Sequence, residues 1–277
     1  MNATWTLVKA CFENPPEDWA TIATVFEDHG IQGTIQTDHP ATLGGYLYEG
    51  KGVDELVADL KSAGASSIEI HDVQEEDWAS AWKRFFKPRR IGKRIVVKPD
   101  WEEFEASPDD VVIELDPGQA FGTGDHPTTR MCLELLEQQS VEDQTVADIG
   151  CGSGILSIAA CKLGAKSVVG VDNDEMSVDV SRENATRNHV EFPVHLGMGF
   201  DLLPGQQFDL VLSNIISAAL IRVSPAAANA VKQGGVWIVS GIIEANWPDV
   251  KLAAEKQGFQ FESNLQEGEW IAAVFRR

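Results

Sequence analysis

Residues 146–155 read Val-Ala-Asp-Ile-Gly-Cys-Gly-Ser-Gly-Ile. An apolar run meets three glycines at alternate positions, Gly150, Gly152 and Gly154, and an apolar stretch with helical spacing follows, Ile155–Leu163. Glycine there lets the turn take unusual dihedrals and lets a ligand approach the backbone with no Cβ in the way. The next apolar run ends in Asp172, 22 residues after Gly150, where a carboxylate can accept hydrogen bonds from both hydroxyls of a ribose. Strand, glycine turn, helix and a second strand ending in an acid describe one half of a nucleotide-binding α/β fold.

Outward from this unit the alternation continues. Candidate strands are Val111–Leu115, Val146–Ile149, Ser167–Asp172, Pro193–Leu196, Phe208–Ser213, Gly235–Gly241 and Glu269–Phe275. Helical patterns fill most intervals, at Thr128–Glu137, Ile155–Leu163, Glu175–Asn188, Ala218–Val231 and Trp247–Gln257. This is the signature of a mostly parallel sheet with helices on both faces. The first 72 residues read differently, as strand (Thr4–Phe12), helix (Asp18–His29), two strands (near Ile31–Thr37 and Gly45–Glu49), helix (Val53–Ser62) and strand (Ser67–His71). That order is the ferredoxin-like βαββαβ pattern. Between the two, Glu75–Phe86 carries Trp78, Trp82 and Phe86 on one helical stripe. Lys83–Arg94 then holds seven basic residues in twelve and no acid. The expected organisation is a small α+β domain over 1–72, a connector over 73–100 with a mobile hinge at Lys83–Lys98, and an α/β domain over 101–277.

The 277 residues suffice for one large domain or two modest ones. No apolar stretch is long enough to span a membrane, and the N-terminus lacks the basic-then-apolar layout of a signal peptide. Cys11, Cys132, Cys151 and Cys161 form no CxxC pair and no metal spacing. Reduced thiols in a cytoplasmic protein fit them, and no metal is expected. Net charge is −21, and the basic run leaves only 15 basic residues against all 43 acidic ones elsewhere. Such charge fits solubility, adaptation to a salty cytoplasm, or steering of a basic partner. The basic run fits either a weak RNA contact or a solvated connector.

Two further segments carry chemistry. Residues 116–129, Asp-Pro-Gly-Gln-Ala-Phe-Gly-Thr-Gly-Asp-His-Pro-Thr-Thr, form a loop poor in packing residues just ahead of a helix. One hydroxyl of Thr128 and Thr129 can cap that helix and the other can reach a ligand. Leu210–Ile216 is an apolar strand with Asn214 near its end, and ligands collect at the carboxyl ends of strands in open α/β sheets. Its amide offers a carbonyl to orient an incoming amine and an NH2 to hold a cofactor. A nicotinamide-dependent dehydrogenase shares the layout of the glycine turn, but its G-x-G-x-x-G would need glycine where Ile155 stands.

With Asp148 ahead of it, the turn resembles motif I of class I methyltransferases. Taken in order, DPGQAFGTGDHPTT, DIGCGSGILSIAACKLGAKSVVGVD and LSNII resemble the ribosomal protein L11 methyltransferase (PrmA) family, as do the connector EEDWASAWKRFFKPRRIGKRIVVKPDW and the closing GEW. The resemblance implies a class I, Rossmann-like methyltransferase domain with a seven-stranded mostly parallel sheet behind a ferredoxin-like recognition domain. Its cofactor would be S-adenosylmethionine and its substrate amino groups of ribosomal protein L11, lysine side chains and the N-terminal amine among them. Cofactor contacts carried over by position are Thr129, Gly150, Asp172 and Asn214, with Gly152 in the same turn and Phe121 and Gly124 alongside. Asn214 would orient the amine, and His126 is a candidate proton acceptor. Asp125 stands where several relatives carry an uncharged residue and receives no role. Asn214 is followed by Ile215-Ile216 and not by the Pro-Pro-aromatic run of many amide and DNA amino methyltransferases. A monomer is expected. The competing functions are methylation of lysines on another protein, such as an electron-transfer flavoprotein subunit, and a module that holds the cofactor without catalysis.

Overall fold

The computed structural model describes residues 4–16, 19–31, 34–38, 41–48, 52–74, 87–115, 124 and 126–277. The chain divides into two compact units, Met1–Phe85 and Phe86–Arg277. The aromatic stripe expected over Glu75–Phe86, and Phe121, lie outside the described residues.

The first unit runs β1 (Thr4–Cys11), α1 (Trp19–Asp28), β2 (Ile35–Asp38), β3 (Ala41–Tyr48), α2 (Val53–Ser62) and β4 (Ser67–Gln74). Its sheet has the order β2-β3-β1-β4 with every neighbour antiparallel. The period of two along β1 buries Thr6, Val8 and Ala10, and Val8 and Ala10 pack with Phe26 of α1 and Leu56 and Leu60 of α2. Gly45 lets α1 settle on the sheet, since a Cβ there would stand 2.7 Å from Ile31 and 2.9 Å from Phe26. Order and pairing are those of the ferredoxin-like unit.

The second unit is larger. Its seven strands are β8 (Thr145–Ile149), β9 (Ser167–Asp172), β10 (Val194–Leu196), β11 (Phe208–Asn214), β12 (Val231–Ile243), β13 (Gln260–Glu267) and β14 (Trp270–Arg276), ordered β10-β9-β8-β11-β12-β14-β13. Strands β10 to β12 pair in parallel, and β14 runs antiparallel to both β12 and β13. Alternate residues feed two cores. Val146, Leu210 and Leu212 face α3 (Pro127–Glu137), α4 (Ile155–Lys162) and α5 (Glu175–Arg187). Ala147, Ile149, Val211 and Trp237 face α6 (Ser217–Ala230) and α7 (Trp247–Lys256). The strand order reverses direction at β8, between β9 and β11, and such a switch point opens a crevice at the carboxyl ends of the strands. This is the class I methyltransferase fold, and no helix of the described residues is long and apolar enough to cross a membrane.

Two expectations need correction. The connector does not extend to residue 100: β5 (Arg89–Ile91) and β6 (Ile95–Pro99) form a hairpin that belongs to the second unit. Ile91, Ile95 and Val97 are buried in that unit's core, so residues 89–98 cannot serve as a hinge. Gly92, at φ +65°, makes the turn, and the amides of Lys93 and Arg94 donate to the Glu137 carboxylate at 2.6 and 2.5 Å. Nor does Val111–Leu115 join the large sheet. As β7 it pairs in parallel with β6 in a separate three-stranded sheet, and Gln260–Glu267 takes the seventh place. Of the basic run, Lys87 meets Glu102 at 2.7 Å, Arg90 holds Asp110 with two bonds of 2.6 and 2.9 Å, and Arg94 donates to the Asp109 carbonyl at 3.0 Å. Lys83 and Arg84, the first two cations of the run expected to touch RNA, lie outside the described residues.

Candidate active site

The glycine turn leaves β8 with φ of 78°, 54° and 79° at Gly150, Gly152 and Gly154, all in the left-handed region. Its first two amides, Gly150 and Cys151, donate to the Val171 carbonyl at 2.8 and 3.2 Å, which ties the turn to the end of β9. The third, Gly152, donates to Oδ2 of Asp172 at 2.8 Å, and the amide of Asp174 donates to Oδ1 at 3.0 Å. Asp172 is thus clamped, with each oxygen keeping acceptor capacity for a ligand. A Cβ on Gly150 would strike Cγ2 of Ile215, so the residue after Asn214 packs directly over the turn.

Beneath the turn Asp148 is fully buried. Oδ2 accepts from the Ser157 hydroxyl at 2.7 Å, while Oδ1 has no hydrogen-bond partner among the described residues. Burial pushes its carboxyl up to about 7; the Ser157 hydrogen bonds oppose the rise and the Asp172 charge adds to it. Burial also pushes the thiols of Cys132 and Cys151 well above their usual range, so neither is a nucleophile.

Asn214 ends β11. Its Nδ2 donates to Oγ1 of Thr129 at 3.2 Å, and its buried Oδ1 has no hydrogen-bond partner among the described residues. Asn214 lines a cavity of about 500 Å³ with His126, Thr128, Asn173, Ile215, Ile216, Ala219, Arg222, Gly241 and Trp270. A smaller cavity of about 90 Å³ lies over Ile149, Gly150, Val171 and Asp172 and is closed by Gly197–Gly199. Asn173, Ile215, Ala219 and Arg222 are walls of both, so the two are contiguous. Gly241, at φ +82°, permits this arrangement, because a Cβ there would overlap the Ile215 carbonyl oxygen.

The structure therefore brings Gly150, Gly152, Asp172 and Asn214 together at the switch point. Thr129 is fully buried and touches Asn214; the NH2 expected to reach the cofactor is the group it holds. Gly124, at φ +88°, lies against Val97 and Ile155. His126 is the N-cap of α3, with Nδ1 accepting from the Thr128 amide at 3.4 Å and 2.8 Å from the Thr128 hydroxyl. Its ring meets Trp270 edge-to-face, centroids 4.8 Å apart. His126 also lines the larger cavity with Asn214. Sequence reasoning missed Ile216, Arg222, Gly241 and Trp270 as cavity walls. Only Trp270 had a signal, in the closing Gly-Glu-Trp.

The family model described as ribosomal protein L11 methyltransferase (PrmA) matches residues 17–277. The ribosomal protein L11 methyltransferase of Streptococcus uberis is 42% identical over 256 residues, 88% of this chain and 80% of that protein. That of Heliobacterium modesticaldum is 47% identical over 208 residues, 74% of this chain and 66% of that protein. The crystal structure of the ribosomal protein L11 methylase from Lactobacillus delbrueckii subsp. bulgaricus superposes with a TM-score of 0.66 at 32% identity, covering 69% of this chain and 99% of that one.

Proposed function

Since the chain belongs to the ribosomal protein L11 methyltransferase family and is an S-adenosylmethionine-dependent methyltransferase, we propose that it methylates amino groups of ribosomal protein L11. Lysine side chains and the N-terminal amine are the acceptors in this reading. The observation that carries it is the buried carbonyl oxygen of Asn214, without a hydrogen-bond partner among the described residues, in a residue that lines the larger cavity beside the one over Asp172.

The residues present fit the cofactor. The smaller cavity lies directly over Gly150, Asp172 has acceptor capacity for a ribose, and the larger cavity beside it is lined by Asn214. Gly150, Gly152, Asp172 and Asn214 would hold it, with Thr129 behind Asn214 and with Gly124 and Phe121 in the adjoining loop. When bound, the cofactor supplies an electrophilic methyl group on a sulfonium. The accepting amine must arrive neutral, and a lysine ammonium with a pKa of about 10.4 is mostly protonated at pH 7. Ile215, Ile216, Ala219 and Trp270 give the cavity a largely apolar wall, which disfavours the charged form of the amine. Oδ1 of Asn214 then accepts an N–H of the neutral amine and so aims its lone pair. The first unit supplies none of these residues, and we assign it to recognition of the protein substrate.

The test is transfer of labelled methyl from S-adenosylmethionine to purified ribosomal protein L11, with modified positions located by mass spectrometry. Label should appear on amines. Asp172→Ala should weaken cofactor binding about 5- to 150-fold in calorimetry, the loss of a charged hydrogen-bonding group of about 1–3 kcal/mol. A wild-type protein that binds cofactor and leaves ribosomal protein L11 unlabelled would defeat this reading.

A further inference from the structure

Ile216 is 71% exposed, more than any other large apolar side chain of the described residues. It is also the N-cap of α6, at φ −60° and ψ 148°, and its side chain makes no capping hydrogen bond. Its carbonyl already accepts from the amides of Ala219 and Leu220 at 2.9 and 3.1 Å, so the backbone has the usual N-cap arrangement. A serine, threonine, asparagine or aspartate here would satisfy a first-turn amide as well, and isoleucine ranks among the poorest residues for the position. Helix stability and solvation both favour a polar residue at 216, yet an isoleucine stands there.

Its place in the site supplies a reason. Ile216 lines the larger cavity together with Asn214, Ile215, Ala219 and Trp270, and it is absent from the smaller cavity over Gly150 and Asp172. It stands two residues beyond the free carbonyl of Asn214, and most of its surface faces solvent. Among the described residues, little of so exposed an apolar side chain is covered until a substrate arrives. A lysine side chain brings four methylenes between its backbone and its nitrogen, and such stems pack along apolar surface while the nitrogen reaches a polar partner.

We propose that Ile216 is a substrate-gripping residue, whose side chain packs on the aliphatic stem of the target amine and the backbone flanking it. This rests on the reading that the acceptor is an amine of a protein. Ile216 is not a catalytic residue here: it selects for amines carried on aliphatic stems and holds them while Asn214 orients the nitrogen.

The experiment compares Ile216→Ser and Ile216→Leu with the wild type in the full chain. Three quantities are measured: the melting temperature, cofactor affinity by calorimetry, and steady-state methylation of ribosomal protein L11. Ile216→Ser should raise the melting temperature by about 2–4 °C, because it gains a cap and hides an exposed apolar group. In the same variant KM for the protein should rise about tenfold while kcat falls less than twofold, the pattern of lost uniform binding. Cofactor affinity should stay as in the wild type. Ile216→Leu should keep KM within twofold and gain no stability. An unchanged KM in Ile216→Ser overturns the inference, as does an equal rise in Ile216→Leu or a matching loss of cofactor affinity. If the wild type itself binds cofactor and methylates no protein amine, the functional reading has failed and the inference falls with it; that arm involves no variant, so the two failures are told apart.

Discussion

The side-chain amide of Asn214 donates to the hydroxyl of Thr129 across 3.2 Å, tying the end of β11 to the first turn of α3, 85 positions earlier in the chain. One end of the amide is held; the other, its buried carbonyl oxygen, has no hydrogen-bond partner among the described residues, and Asn214 lines the larger cavity. On the proposed reading, Thr129 is a positioning residue that acts through Asn214.

Thr129→Val preserves shape and removes the acceptor. Leaving the Asn214 amide one partner short should weaken its hold by about 1–2 kcal/mol, and methyl transfer should slow roughly tenfold with little change in the KM for protein. Thr129→Ser should restore the rate. A valine variant with full kcat would mean that the amide is held by other means.

Gly241 and Gly258 make a paired test of the turn that carries Ile215. Both have positive φ, +82° and +90°, but a Cβ on Gly241 would overlap the Ile215 carbonyl while one on Gly258 meets nothing within 4 Å. Gly258→Ala should lose only the left-handed preference, about 1–2 kcal/mol. Gly241→Ala adds overpacking and should lose about 2–4 kcal/mol in urea unfolding, with methylation falling further than stability. Equal destabilisation would remove the packing argument.

Asp148 sets a pH dependence. Its carboxyl is raised from 3.8 to about 7 by burial, so the folded protein binds this proton more tightly than the unfolded chain. The stability it contributes is fully present below about pH 4 and is lost as pH rises through about 7. Asp148→Asn keeps an acceptor for Ser157 and carries no charge at any pH. Without cofactor, the melting temperature of the variant relative to wild type should climb between about pH 4.5 and pH 7 and level off above that. A difference that stays constant over that range would place the proton elsewhere.

Asp209 works in the opposite sense. Burial alone would raise its carboxyl, but Lys232 Nζ at 2.8 Å and the Thr145 amide and hydroxyl at 2.9 and 2.7 Å outweigh it and hold it at about 2. Its contribution, about 1–2 kcal/mol, is present above pH 4 and fades as pH falls through about 2. Asp209→Asn should be less stable than wild type at pH 7, and the gap should close in acid. A gap as wide at pH 2 as at pH 7 would show that charge is not its source.

The parts of the site that sequence reveals are those whose chemistry is contiguous in the chain. Gly150, Gly152 and Asp172 belong to one strand–turn–helix–strand run, and Asn214 stands at the end of an unbroken apolar strand. What stayed hidden depends on distant partners. The hairpin of β5 and β6 is masked by seven basic residues, several of which are matched by acids that follow later in the chain. Strand β13, Gln-Phe-Glu-Ser-Asn-Leu-Gln-Glu, lies at the sheet edge with no fully buried residue, so it shows no apolar alternation. Gly241 and Trp270 become cavity walls only because β12 and β14 pair, and the closing Gly-Glu-Trp was the one local sign of it. His126 was visible, but its role as cap against Trp270 could be seen only once the helix and β14 were in place.

The hairpin of β13 and β14 enters the sheet with Trp270 beside its turn, so the same segment that closes the second unit's sheet also walls the cavity. Local opening of that hairpin and occupation of the cavity are therefore thermodynamically linked: an occupant that touches Trp270 must be released before the hairpin can part from β12. Protection of the β14 amides against hydrogen–deuterium exchange should deepen as the cavity fills, while the strands of the first unit exchange as before. Turnover would then set how often this edge of the protein breathes.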